Sequence, residues 1–585
     1  MTNLTYKPII AGEASGELLV SDTGLSFWGG VNPVNGLIID QHHPLHNQQV
    51  TGKILALPSG RGSSSGSGAI LELLANGAAP AALIFIEAED IITLGVMVSE
   101  VMFENSIPVC QMNEAEFKQL RTGVLARVAN GVLSTHNEWM EQSVSSKNNI
   151  HNTKLVLSDS DQQLLNGDHG EAAQIAMQIV VRMAELQGAM ELVDVSQAHI
   201  DAVVYNGPSS LLFAQKLASL GGKVRIPTTL NSLSVDKRRW KDLGVADDFG
   251  SPASQLGDAY LAMGAQPSYT CAPYLLDSAP KFGQQIVWAE SNAVAYANSV
   301  LGARTQKYPD FLDACIALTG RAPAAGAHLD AGRTPSIKIS IVNVDKDTVD
   351  DAFWPLLGYH IGAIAKNNIP IICGLELFSP TLDDHKAFSA AFATTSSVAM
   401  YHIAEVTPEA EKAISTMSSS IESVEVDIPD LIASWNELNS ANDDCVDVIC
   451  LGNPHFSVTE CVALSELCEG RTKDSSITVI VTLGRDVQKA ASEVGAIKKL
   501  KTFGVQFIND TCWCMIEEPI IPMDAEVLMT NSGKYAHYGP GLVNRSVHFG
   551  SLAACVDAAC SGKRKLSLPN WLRTSIDTTQ SKPIN

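Results

Sequence analysis

The 585-residue sequence holds twelve cysteines but no C-x-x-C pair, the spacing that zinc ribbons and thioredoxin-type redox sites use. Basic residues are also scarce: 40 Lys and Arg stand against 63 Asp and Glu, for a formal net charge of −23. Duplex binding needs a basic footprint to displace counterions, so nucleic acid is not an expected partner, and an anionic substrate must find a local positive pocket. Nor is there an apolar run of membrane-spanning length, since "AAPAALIFI" is stopped by Glu87, Glu89 and Asp90. The opening "MTNLTYKPIIAGEASGELLV" lacks a basic n-region and an uninterrupted apolar h-region, so secretion is not expected. These absences point to a cytoplasmic protein without a membrane partner. In that compartment the cysteines are core thiols or ligands, not a disulfide framework.

What is present describes a globular interior: 45% of the residues are apolar and 18% charged. The chain exceeds the about 250–300 residues at which single cores stop growing, so a small and a large domain are expected. Residues 1–140 alternate strand-like runs such as "GELLVS", "KILALP" and "ALIFIE" with turns and one clear helix, which suggests a compact barrel-like α/β unit. Residues 141–152, within the polar "NEWMEQSVSSKNNIHNTK", read as a linker. Across 153–585, helix-like runs such as "EAAQIAMQIVVRMAELQG" alternate with short apolar strands such as "SIKISIVNV" and "ITVIVTLG". That pattern indicates parallel sheets with covering helices, in more than one lobe. There is no short-period repeat.

Three kinds of local pattern could carry chemistry. The first is the Gly/Ser run "LPSGRGSSSGSGAILELLANG", between a strand and a helix, where backbone N–H groups can face an anion. It lacks the Lys-Ser/Thr pair of a Walker loop, and Gly60, Gly62 and Gly66 are spaced G-x-G-x-x-x-G, not as the dinucleotide fingerprint requires. A flexible linker is the plain alternative, but the run sits tightly between two core elements. The second pattern is cysteine placement. Cys110, Cys315, Cys373, Cys445, Cys450, Cys461 and Cys468 lie in apolar or helix-like surroundings, where a thiol behaves as a small hydrophobe. Cys271, Cys512 and Cys555 instead follow strand ends or Gly/Ser turns, and three dispersed thiolates could hold an iron–sulfur cluster. The third is the density of polar residues in "AHID", "PTTLN", "AESNAVAYANSVLGARTQ" and "TNSGKYAHYGPG", each a hydrogen-bonded joint or a ligand contact.

These stretches resemble the aconitase X family of the aconitase superfamily over nearly the whole chain. The motifs are "ESNAVAYANSVLGART", "TCAPYL", "AHID", "IPTTLN", "NDTC" and "KYAHYGPG" in the large part, and "HHPL", "GRGSSSGS" and "EAED" in the small one. The resemblance implies an aconitase-like α/β fold, with an N-terminal swivelling β/α barrel-like domain fused to a larger multi-lobed catalytic region. The fused order resembles the single-chain bacterial type, with no separate small subunit. It implies a hydro-lyase of hydroxyproline catabolism that converts cis-3-hydroxy-L-proline to Δ1-pyrroline-2-carboxylate. The alternatives are a dehydratase of another hydroxy acid, such as mevalonate 5-phosphate, and an aconitase-fold binding protein without catalysis.

The resemblance also implies residue roles. Ser63 or Ser64, aligned with the serine of the aconitase swivel loop, would be the catalytic base, and Ser65 stands where that loop has an arginine for a second carboxylate. A monocarboxylate substrate is expected in consequence. Cys271, Cys512 and Cys555 would hold the iron–sulfur cluster, 2Fe-2S for the single-chain type with 4Fe-4S as the alternative. Lys534 would take the substrate carboxylate, with Ser291, Asn292 and Asn531 as hydrogen-bond donors. His199 and Asp201 would hold the ring nitrogen or tune the cluster.

Overall fold

In the computed structural model, residues 2–40, 43–61, 63–135 and 155–573 are described; the expected linker at 141–152 lies outside the described residues. The N-terminal unit is built on an eight-stranded mixed sheet, in the order Thr2–Thr5, Val132–Thr135, Leu125–Ala129, Ala14–Val20, Ile54–Leu57, Ala82–Phe85, Val109–Gln111, Lys7–Ile10. Its two edge strands are consecutive in the chain and separated by Tyr6 alone, so the sheet curls until its ends nearly meet. Near-closure leaves little free edge. The central strands are apolar throughout because both their faces are covered. Leu55, Leu57, Leu83 and Phe85 point toward the helices Gly66–Ala75 and Ile91–Phe103, while Ile54, Ala56, Ala82 and Ile84 point the other way, toward Leu4, Tyr6 and Leu133.

The helix-covered face of this unit does not end at its own surface. One hydrophobic cluster runs from Leu55, Ile70 and Val98 into Met177, Val180, Phe213 and Tyr260 of the following region. There the helix Glu171–Leu186 buries Ala172, Ala176, Met177, Ile179, Val180 and Met183 at helical spacing. Beside it lies a short parallel sheet in the order Thr228–Leu230, Ala198–Ile200, Val287–Trp288.

Two further parallel sheets follow. The first pairs His402–Ile403, Pro370–Cys373, Ile337–Ile341 and Glu422–Val426 in that spatial order. The second pairs Val505–Ile508, Thr478–Leu483, Val448–Phe456, Val527–Thr530 and Ser546–Phe549. Numbered within each lobe, both run third, second, first, fourth, so each reverses direction beside its first strand, where open α/β sheets leave a crevice at the carboxyl ends of the strands. The lobes share a core through Phe388, Phe392, Trp513 and Tyr535. Among the described residues no helix is long and apolar enough to cross a membrane.

Candidate active site

Each strand of the three-stranded sheet delivers a polar residue just past its carboxyl end: Asp201, Asn231 and Glu290. They line a cavity together with Ser63 and Ser65 of the N-terminal unit, Cys512, Cys514, Lys534 and Tyr538 of the last lobe, and the small residues Ala390 and Ala393 of the helix Leu382–Thr395. The space between them, counted with its opening to solvent, is about 550 Å³. Trp28 of the N-terminal unit closes one edge, its ring 5.5 Å from that of Tyr538 in a T-shaped contact.

The oxygen side of the cavity is a network of buried acids. Ser64 Oγ donates to Asp201 Oδ2 at 2.8 Å, the Asn231 amide donates to Oδ1, and the backbone N–H of Asp201 donates to Asp313 Oδ2 at 2.6 Å. Asp310 joins through its N–H, which donates to the Ser64 carbonyl at 3.3 Å. Burial, then the neighbouring Glu290, pushes the Asp201 pKa up to about 6. Burial and then Asp201 push that of Asp313 to about 7. Burial and both neighbours hold Asp310 well above the carboxylate range. Between Asp310 and Asp313, Phe311 adopts φ +80°, a conformation that a bulky residue keeps only when its surroundings over-determine it. Here the ring is buried against Phe213, 4.6 Å between centroids.

Across the cavity, Lys534 Nζ pairs with Glu290 Oε1 at 2.6 Å. Glu290 Oε2 accepts the N–H groups of Asn292 and Ala293 at 2.7 and 3.1 Å, capping the helix Ser291–Tyr296. Burial works against the lysine charge, but Glu290, Cys514 and Cys512 outweigh it and hold the Lys534 pKa well above its ordinary value. Lys534 is the only Lys or Arg among the described residues that line the cavity. Arg61 of the serine loop does not reach it and pairs with Asp40 at 2.7 Å.

Three thiols gather behind this lysine. Cys512 and Cys514 share a hydrogen bond that lowers the pKa of Cys514 and, with burial, raises that of Cys512. Cys271 is buried behind them, its pKa raised by burial and then by Cys512. Its Sγ accepts the backbone N–H of His455 at 3.3 Å, and Cys514 Sγ accepts from Asn453 Nδ2 at 3.5 Å. Among the described residues no three His, Cys, Asp or Glu side chains stand at the spacing of one metal ion. Soft thiols with N–H donors aimed at sulfur are nevertheless the donor set that an iron–sulfur group takes, and in this respect the residues fit one.

Of the residues expected from sequence, Ser63, Ser65, Asp201, Ser291, Cys512 and Lys534 line the cavity. Ser64 and Cys271 lie directly behind that lining, bonded to Asp201 and His455. Asn292 is committed to structure: its amide donates to the Cys271 carbonyl at 3.0 Å and its Oδ1 accepts from Tyr274 at 2.8 Å. His199, whose pKa burial pushes down to about 3, bonds Thr229 Oγ1 at 2.8 Å and is not in the lining. Asn531 is half-buried in the turn before the helix Gly533–Val543, also outside it. The expectation for Cys555 is corrected: it is buried in the helix Leu552–Ser561, in the core cluster with Leu451, Val481 and Phe507, and is not brought to Cys271 and Cys512. A strand-end position does not tell which face of a sheet the next helix covers. Cys514, beside Cys512 instead, was visible in "TCWC" as a C-x-C pair, and Cys445, taken for a core thiol, is exposed. Glu290 lies within the polar stretch "AESNAVAYANSVLGARTQ" but was not singled out there, and Asp310 and Asp313 of "PDFLDAC" fall in none of the stretches singled out.

Comparison with known families matches residues 3–135 to the Aconitase X swivel domain, 154–331 to the Aconitase X first domain, 338–436 to the second and 446–561 to the third. The chain belongs to the aconitase X family. Among its curated aconitase X relatives, the cis-3-hydroxy-L-proline dehydratase of Hypocrea jecorina is 50% identical over 576 residues, 97% of each chain. That of Pseudomonas aeruginosa is 49% identical over 570 residues, 97% of this chain and 98% of the relative. The fused arrangement is thus shared with a fungal protein as well as a bacterial one, and the narrower "bacterial type" does not follow. The phosphomevalonate dehydratase large subunit of Methanothermobacter thermautotrophicus is 32% identical over 391 residues, 66% of this chain and 95% of the relative. The crystal structure of Thermococcus kodakaraensis aconitase X, in its holo-form, superposes with a TM-score of 0.63 at 29% identity and covers 69% of this chain and all of its own.

Proposed function

We propose that this aconitase X chain is a hydro-lyase converting cis-3-hydroxy-L-proline to Δ1-pyrroline-2-carboxylate. The observation that carries the substrate is the charge inventory of the cavity. Its single cation among the described residues, Lys534, is already paired with Glu290, and a second acid, Asp201, stands opposite. That balance suits a zwitterion with one carboxylate and one ammonium, and it leaves nothing to neutralise a phosphate, which convergent Arg or Lys would have to do. The names of the two relatives at about half identity agree with this substrate.

In this reading Lys534 takes the carboxylate, Ser291 supports it, and Asp201 as an anion takes the ring ammonium, held in place by Ser64 and Asn231. In the cis isomer the hydroxyl and carboxylate share a ring face, so the C2 proton lies on the opposite one and anti elimination is open. Ser63 takes that proton. Its Oγ accepts the Ser65 N–H at 3.3 Å, ahead of the helix Gly66–Ala75, and both features favour negative charge on oxygen. Bound through Cys271, Cys512 and Cys514, an iron–sulfur group, 2Fe-2S in our proposal, would supply the Lewis acid that polarises the C3–O bond. The C2–H electrons become the C2=C3 bond and the 3-hydroxyl leaves, with a proton, as water. The enamine then gains a proton at C3 and loses one from nitrogen to give the cyclic imine. Uncrosslinked thiols suit a reducing compartment, and we place the enzyme in the cytoplasm, in hydroxyproline breakdown.

The test is an anaerobic assay against cis- and trans-3-hydroxy-L-proline, citrate and mevalonate 5-phosphate, with iron and sulfide counted on the same sample. Turnover of the cis isomer alone is expected. Turnover of mevalonate 5-phosphate without it, or of nothing by an iron-loaded sample, overturns the reading.

A further inference from the structure

His455, at the end of the strand Val448–Phe456, is fully buried and has no part in the chemistry above. Its ring lies between the two segments that carry Cys271 and Cys512. Nε2 is 2.9 Å from the carbonyl oxygen of Thr511, and Nδ1 is 3.2 Å from the hydroxyl of Thr270. A carbonyl oxygen only accepts, so Nε2 bears the proton and Nδ1 accepts from the Thr270 hydroxyl. Thr270 Oγ1 also accepts the N–H of Ala272 at 3.1 Å, which closes a turn around Cys271. The backbone N–H of His455 donates to Cys271 Sγ at 3.3 Å. Both ring nitrogens are therefore engaged by the chain, each by the residue just before a cysteine.

We propose that His455 is the positioning residue that sets the spacing of Cys271 and Cys512, holding two distant segments as one frame before any metal arrives. The inference rests on the reading that these thiols are the ligands. The bonded pairs are 185 and 56 residues apart in sequence, so nothing local keeps the cysteines together. Without a frame, the entropy of ordering both loops would be charged against metal binding. The strand end that carries the ring is itself fixed. Lys386, 2% exposed, donates to the His455 carbonyl at 3.3 Å and ion-pairs with Glu460, whose Oε2 accepts the Ser457 N–H at 2.7 Å. A histidine of this kind leaves the ligands their own chemistry and decides where they stand, as partners of metal ligands do elsewhere.

Three variants of the full-length chain separate the two ring contacts. His455→Gln keeps a donor for Thr511, His455→Asn keeps an acceptor for Thr270, and His455→Ala keeps neither. The first readout needs no iron: the alkylation rate of each cysteine by iodoacetamide, resolved by mass spectrometry on the reduced, metal-free chain. His455→Ala should speed Cys271 and Cys512 about tenfold or more and leave Cys450 and Cys555 unchanged; Gln should restore protection at Cys512, and Asn at Cys271. The second readout is made after anaerobic supply of iron and sulfide. His455→Ala should lose iron to a chelator roughly 10–100-fold more readily and shift the visible absorption, with partial rescue by Gln and Asn. Unchanged alkylation in His455→Ala overturns the proposal, and so does equal acceleration at all four cysteines, which would mark a general loss of structure. A parent chain that takes up no iron removes the ligand reading instead, and the alkylation pattern still decides whether His455 sets the spacing.

Discussion

The serine loop Ser63–Ser65 and the thiols of Cys271, Cys512 and Cys514 serve one cavity but are held in opposite ways. The serines come from the N-terminal unit and are fixed by partners outside it: Ser64 Oγ by Asp201 at 2.8 Å, and the Ser64 carbonyl by the Asp310 N–H at 3.3 Å. The thiols are fixed within the large region, by Asn453 and His455 at a strand end of the last lobe. On the oxygen side, burial and neighbouring charge raise the pKa values of the acids, and on the sulfur side burial raises that of Cys271, while the bond between Cys512 and Cys514 raises that of Cys512 and lowers that of Cys514. In the proposed reading, proton transfer would sit at a domain boundary, across which one hydrophobic cluster is continuous, and metal binding would fall to the ends of a parallel sheet. Exchange of properties between the two sides is what the following variants test.

The largest effect is expected on the sulfur side. Cys512→Ala should lose bound iron, visible absorption and turnover together, whereas Ser63→Ala should keep the first two. Iron retained in Cys512→Ala would erase the distinction.

Next come the oxygen-side residues. Ser63→Ala should lower kcat about 10²–10⁴-fold with the absorption spectrum intact, and Asp201→Asn, which loses the partner of the ring ammonium, should lower kcat/KM with the spectrum likewise intact. Since Asp201 must be an anion to hold an ammonium, and burial raises its pKa to about 6, kcat/KM should climb with pH through about 6, a limb absent in Asp201→Asn. Asp310 and Asp313, whose own pKa values the same carboxyl raises, broaden the limb. Stability has the opposite sign. An acid raised from 3.8 to about 7, as Asp313 is, binds more protons folded than unfolded between those values, so its contribution is present at low pH and lost as pH rises through that window. Asp313→Asn, which imitates the protonated acid, should therefore gain Tm relative to the parent as pH rises from about 4 to about 8. A constant Tm difference across that range would show that Asp313 does not titrate in the folded state.

Lys534→Gln should have an intermediate effect, roughly 100-fold in kcat/KM, because it removes the carboxylate's cation and leaves Glu290 buried and unpaired. Steady-state kinetics on the iron-loaded variant measures it, and an unchanged kcat/KM would assign the carboxylate elsewhere. Cys555→Ala should change least: iron content and turnover as in the parent, with about 1 kcal/mol of stability lost from the core of the last lobe by denaturant titration. Loss of iron in Cys555→Ala would restore it as a ligand and undo the correction made from its position.

The sequence by itself determined the order of the units, the alternation of strands with covering helices, and the short polar segments at strand ends, because hydrophobic period and turn residues are local properties. Ser63–Ser65, Asp201, Cys512 and Lys534 were legible for that reason, each standing out within a few residues of its neighbours. Asp310, Asp313 and His455 were not, and Glu290 stood unremarked inside a polar stretch. Each is an ordinary polar residue until the fold buries it beside a partner, as Ser64 meets Asp201 across 137 residues and Arg238 meets Asn509 across 271. Cys555 shows the converse, a residue with the right local surroundings that its helix turns into the core. Burial and pairing decide pKa, charge and reach, and both depend on contacts between segments far apart in the chain, which only the tertiary structure brings together.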